Sequence, residues 1–151
     1  MDQTSQAVVG RIETPVTQPV PERKDRDLME LAARAAGIEG RYFDGSSAVH
    51  TGIYRAAHRY YWNPLASDSE AIRLAAALNM DVCINICFVE VVWVDLERSE
   101  TFEVKEDWGA ADVDLGDRME YIRRAIVRMA AKVGELQAAS RPGNRRRQAS
   151  G

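Results

Sequence analysis

The sequence predicts an α+β fold: a small antiparallel sheet of about three or four strands layered with about three helices. Three observations carry this. Residues 25–36 and 119–136 repeat apolar residues at helical spacing. Residues 67–70, "SDSE", form a capping box that opens a third helix between them. Residues 81–107 hold β-rich runs such as "VEVVWVDL". Helices with one apolar stripe each need a sheet to bury it against.

A chain of 151 residues is enough for one domain. Residues 1–23 read as a disordered N-terminal arm, because "TPVTQPVPERKD" favours an extended, solvated backbone. Residues 24–138 read as a single α+β domain. Residues 139–151, "ASRPGNRRRQASG", read as a flexible basic C-terminal tail. The net charge of -3 argues against a surface given over wholly to nucleic acid, while leaving local basic patches open. No segment approaches the roughly 18 consecutive apolar residues of a membrane span. The start "MDQTSQAVVG" lacks the basic region and apolar run of a signal peptide. The expected location is the cytoplasm, that of a host cell if the gene is phage-borne.

The first helix is expected from Asp25 to Ala36, with Leu28, Leu31, Ala32 and Ala35 on one face and Gly37 as terminator. Residues 38–64 hold three aromatic runs, "RYFD", "GIYRA" and "RYYWN", as short strands or extended loop, with a turn at residues 44–47. Pro64 biases Asn63 toward extended backbone. The second helix starts at Ser67, whose hydroxyl caps the Glu70 amide while Glu70 reaches back. It carries Ala71, Leu74, Ala75 and Leu78 on one face and ends near Asn79.

Three strands are expected over Asp81–Phe88, Val89–Leu96 and Glu100–Asp107, with Arg98-Ser99 turning the last pair. Cys83 and Cys87 in one regular strand would stand about 13 Å apart. That is beyond disulfide reach, so both are expected as buried thiols. The last helix is expected from Asp117, capped with Glu120. Its seam of Met119, Ile122, Ile126, Met129, Val133 and Leu136 packs on the sheet or serves a homo-oligomer. Arg124, Arg128 and Lys132 line up at spacings of four as a solvated face.

Residues 60–96 resemble small bacteriophage proteins of unknown function, the NinX-like and phage ABA sandwich group. The residues that carry the resemblance are Trp62, Asn63 and Pro64, the helix "SDSEAIRLAAAL" and the strand opening at Val82. It extends over about residues 24–137. It departs where that group carries a glycine-containing hairpin, since "NICFVE" has no glycine. The resemblance implies a phage or prophage origin and brings no catalytic residues.

No metal-ligand spacing and no nucleophile motif accompanies His50 and His58, so no catalytic residue, metal or cofactor is assigned. The expected function is a non-enzymatic phage accessory protein, an anti-defence candidate, that binds a host, phage or defence protein. The alternative is a nucleotide or nucleic-acid binding module that uses the cluster at residues 54–62 and the arginine tail. The candidate binding residues are Arg55, Arg59, Tyr60, Tyr61, Trp62 and Asn63: rings that can stack beside guanidinium groups that can meet phosphate. The Trp62-Asn63-Pro64 turn is either the mouth of that site or a structural hinge.

Overall fold

A computed structural model describes residues 17–141. The elements run β1 (Thr17–Pro19), α1 (Asp25–Ala35), β2 (Arg41–Phe43), a 3-10 turn (Ala48–His50), β3 (Gly52–Arg55), β4 (Tyr60–Trp62), α2 (Asp68–Ala77), β5 (Asp81–Ile84), β6 (Phe88–Asp95), β7 (Glu100–Asp107) and α3 (Leu115–Ser140). The α+β class is as expected. The strands form two sheets rather than one: a four-stranded sheet ordered β1-β7-β6-β5 and a three-stranded sheet ordered β2-β3-β4.

The helix α3 is the hub. It packs on α1, on α2 and on the β6–β7 face of the larger sheet, while α1 also meets β2 and β3. Its seam is filled from within the chain: Ile122, Ile126, Met129 and Val133 are all buried. Met119 and Leu136, at the ends of the seam, are partly buried against the same core. The helix opens at Leu115, earlier than the expected Asp117. Its N-cap Asp114 makes no side-chain capping bond. Val89, Val91, Phe102 and Val104 alternate onto the helix side of the sheet, as period-2 strands require. Where α1 crosses α3, a Cβ at Gly134 would collide with the Leu31 carbonyl, so the close approach depends on glycine.

The expected arm is partly structure. Thr17–Pro19 pair in parallel with Thr101–Glu103 of β7, and Val20 is buried. Arg128 holds this strap. Its Nη2 donates to the Val20 carbonyl at 2.7 Å and its Nη1 to Glu106 Oε1 at 2.7 Å. Arg128 is only 7% exposed. The row Arg124–Arg128–Lys132 is thus not a solvated face: Arg124 meets Asp25 at 3.1 Å, and Lys132 lies 5.2 Å over the Phe102 ring. Sequence spacing reads the charge but not the strap that covers it. Residues 1–16 and most of the expected tail, 142–151, lie outside the described residues.

The first expected strand of the larger sheet stops four residues early, and the second begins one residue early, at Phe88. β5 ends at Ile84, and a turn led by the Asn85 amide donating to the Phe88 carbonyl at 2.8 Å starts β6. No glycine is needed, because Trp108 clamps the turn: its amide donates to the Cys87 carbonyl at 2.9 Å and its indole to the Ile86 carbonyl at 2.8 Å. Cys83 is exposed rather than buried, since it sits on the edge strand β5; Cys87 is half-buried in the turn, and both are free. The expected Arg98-Ser99 turn is organised by Asp95, whose Oδ1 accepts from the Glu97 and Arg98 amides at 3.1 and 3.2 Å. No helix among the described residues is long and apolar enough to cross a membrane.

Candidate functional site

The three-stranded sheet places the candidate residues. Across it, Tyr42, Ile53 and Trp62 stand in one register row, and Arg41, Tyr54 and Tyr61 in the next. Side chains of adjacent rows point to opposite faces. Ile53 and Trp62 are buried, so their row faces the core and the other row faces out. Trp62 shares a groove with Leu74 and Ala77 of α2 and with Ala36 and Ile38 at the end of α1. Burial pushes the Tyr42 hydroxyl up, Asp44 and Asp25 adding to it against Arg26.

The outer face carries an aromatic cluster. Phe43 meets Tyr54 at 6.3 Å and 89° between ring planes, and Tyr61 at 6.3 Å and 85°. His50, brought in by the 3-10 turn, meets Tyr61 at 5.9 Å and 74°. Tyr54 and Tyr61, cross-strand neighbours, lie 5.0 Å apart. Edge-to-face packing of this kind is a favoured aromatic geometry. Phe43 is nonetheless 45% exposed, a large apolar ring left in water. The backbone tolerates the assembly because Gly52, opposite Phe43, approaches the Trp62 carbonyl where a Cβ would clash; its φ of +132° is also one few other residues adopt.

The other candidates divide. Arg55 lies 5.7 Å over the Tyr60 ring and donates to its hydroxyl at 3.1 Å. Tyr60, 37% exposed, does not share the burial of Trp62, although strand alternation gives them one side. It stands at the sheet's end, where the core has run out. Arg59 sits in the β3–β4 turn at φ +53° and is exposed. With His50, Tyr61 and Ser67 it lines a cleft of about 460 Å³.

Asn63 belongs to the hinge. It is 9% exposed, its Nδ2 donates to the Thr51 carbonyl at 3.0 Å, and its Oδ1 accepts from the Leu65 amide at 3.1 Å. Its own amide donates to Glu70 Oε2 at 2.8 Å, and its carbonyl accepts from the Ala66 and Ser67 amides. The capping box is accordingly half as expected. Ser67 Oγ accepts from the Glu70 amide, but Glu70 reaches to Asn63 rather than to Ser67.

Sequence reading left Arg41 and Phe43 out of the site and gave His50 no role, while Tyr54 stood at the start of the 54–62 cluster without being named as a binding residue. The signal was in the three aromatic runs separated by turn residues: taken as a meander, their alternation puts one ring of each run on a common face. Among the described residues no group of three or more His, Cys, Asp or Glu is placed to hold a metal ion. Compared with protein-family models, curated proteins and solved structures, the chain matches none.

Proposed function

We propose that this chain is a non-enzymatic binding module whose working surface is the outer face of the three-stranded sheet, and that its partner is a protein. In the phage or prophage setting implied by the resemblance, that partner is a host or defence protein met in the host cytoplasm. The observation that carries the reading is Phe43, exposed at the head of a cluster with Tyr54 and Tyr61. Aromatic residues and arginine are enriched at the centres of protein interfaces. The mutual edge-to-face packing leaves fewer free ring faces than a platform for stacked bases would offer.

Nucleotide or nucleic-acid binding is the second reading. It is favoured by Arg41, Arg55 and Arg59, none of which forms an ion pair among the described residues. Capture from bacterial lysate by the full chain and by Phe43→Ser, followed by mass spectrometry, tests the first reading. The expected result is a protein enriched by the wild type and lost with the variant. Equal capture by both would sink it, and a salt-sensitive mobility shift with labelled single-stranded nucleic acid would put the second reading in its place.

A further inference from the structure

We propose that the free edge of β5 pairs, antiparallel, with the same edge of a second copy of this chain, about a two-fold axis that passes between Cys83 and its counterpart. The inference concerns the larger sheet and does not rest on the aromatic face of the smaller one.

The backbone is the first ground. Along an antiparallel strand, residues alternate between those bonded to the neighbour and those whose amide and carbonyl point away from it. The Asn85 amide donates to the Phe88 carbonyl, in the same register that pairs Cys83 with Glu90 and Asp81 with Val92. Asp81, Cys83 and Asn85 therefore turn their main-chain groups to β6. Val82 and Ile84 turn theirs outward, and among the described residues no strand lies on that side. Such an edge accepts another strand unless proline or a basic side chain guards it. β1, the far edge of this sheet, carries Pro19; β2 carries Arg41, and β4 lies between Arg59 and Pro64. Residues 81–87, "DVCINIC", hold no lysine, arginine or proline.

Self-complementarity names the occupant. Outward-pointing residues bond only with outward-pointing residues, which leaves three two-fold registers within reach. Centring on Val82 would bring in Met80, whose amide already donates to the Ala75 carbonyl. Centring on Ile84 would bring in Ile86, whose carbonyl already accepts from the Trp108 indole. Centring on Cys83 sets Val82 opposite the second copy's Ile84, and the reverse, and uses only groups that are free. The side chains agree with this register. On the helix side Ile84 meets the second copy's Val82, and Ile86 falls over its Met80. Ile84 and Ile86 are 61% and 71% exposed in the single chain, while Val82 and Met80 already pack on the core. On the other side Asp81 faces the second copy's Asn85, a carboxylate opposite an amide rather than opposite its own kind. The two-fold consumes both β5 edges, so the assembly closes at two chains.

The register is open to measurement. Cys83 would meet Cys83 as a non-hydrogen-bonded pair with Cα atoms about 4.5 Å apart, within disulfide span. Two Cys87 would stand roughly 27 Å apart, and Cys83 and Cys87 of different copies roughly 13 Å. The patch is small, so sedimentation velocity of the full chain is expected to show a reversible rise from one chain to two between about 10 and 300 µM. Diamide, added as oxidant, should give a reducible dimer with the wild type and with Cys87→Ser, and none with Cys83→Ser. Ile84→Pro removes an outward amide and leaves the β6 ladder whole, so it should keep its circular dichroism and stay monomeric. If proline unfolds the chain, Ile84→Lys, at a side chain already in water, carries the same expectation. A wild type that stays monomeric up to about 300 µM overturns the inference. So does a dimer that survives the folded Ile84 variant, or one that diamide links through Cys87 or not at all. Phe43 lies on the other sheet, so Phe43→Ser should leave the dimer intact. A dimer lost with Phe43→Ser would put the interface on the aromatic face and sink the β5 pairing, whereas loss of a captured partner alone bears only on that face.

Discussion

Arg128 and Glu106 form an ion pair of 2.7 Å between side chains that are almost out of water, and the same guanidinium holds the Val20 carbonyl of the N-terminal strap. Removing one partner leaves a buried charge uncompensated. Arg128→Ala is expected to cost about 3–5 kcal/mol in denaturant unfolding. It should also speed amide exchange over residues 17–20, since the strap loses its anchor. A loss under about 1 kcal/mol would mean water reaches Glu106 easily.

A second contact limits the helix pair. Gly134 lies against the Leu31 carbonyl, and an added methyl there has nowhere to go. Gly134→Ala, ordinarily favourable within a helix by nearly 1 kcal/mol, is expected to destabilise instead, by about 1–3 kcal/mol from overpacking. A variant that melts higher than wild type would show that α1 and α3 can part without cost.

The helices were legible because each has a stripe at 3.6 spacing that closes on a common core: Leu28 with Ala32, Ala71 with Leu74, Ile122 with Ile126 and Met129. The last strand was legible because Phe102 and Val104 alternate with charged residues. What failed was non-local. Thr17–Pro19 has no apolar periodicity and becomes a strand only because β7 offers an edge and Arg128 reaches across. The β5–β6 turn lacks turn residues because Trp108, 21 positions beyond Cys87, supplies the bonds. At the candidate site Trp62 and Tyr61 could be read from alternation, whereas Arg59 falls in the turn before the strand. Phe43 could be read only once the three aromatic runs are taken as one meander, and His50 could not, since its nearness to Tyr61 depends on a 3-10 turn.

Two carboxyls should give opposite pH dependences. A hydrogen bond with the Glu90 carboxyl, then burial and the Glu90 charge, raise Glu103 above its ordinary value against the pull of Lys105. A raised acid stabilises the fold below its unfolded pKa and loses that contribution as pH rises through the folded value. Glu103→Gln should therefore stabilise at neutral pH, by up to about 1 kcal/mol, as expected for relieving like charges between neighbouring strands. Burial pushes Asp95 up, but the Arg98 guanidinium, with the Arg98 and Glu97 amides, outweighs it and holds the carboxyl below its ordinary value. Its contribution is present above the unfolded pKa and is lost as pH falls through the folded one. Asp95→Asn should flatten the acid limb of the stability curve, and urea melts from pH 3 to pH 7 read both effects. An unchanged acid limb in Asp95→Asn would show that the Arg98 pair is not formed in solution.

The hinge and the face can be separated by two variants on adjacent residues. Trp62 is 5% exposed and belongs to the core, so Trp62→Ala should cost about 3–5 kcal/mol. Tyr61 points the other way, and Arg59 is in the turn with its side chain in water. Tyr61 loses ring contacts with Phe43, His50 and Tyr54 when truncated, each worth about 0.5–1.5 kcal/mol at most. Tyr61→Ala with Arg59→Ala is therefore expected to lower the melting temperature by only a few degrees, with far-ultraviolet circular dichroism unchanged. The same double variant should lose the captured partner. If it unfolds as Trp62→Ala does, the outer rings are part of the core's support and the surface reading fails. If it folds and still captures the partner, the contact lies elsewhere and the Trp62-Asn63-Pro64 segment, with Asn63 bonded to Thr51, Leu65 and Glu70, is a hinge alone.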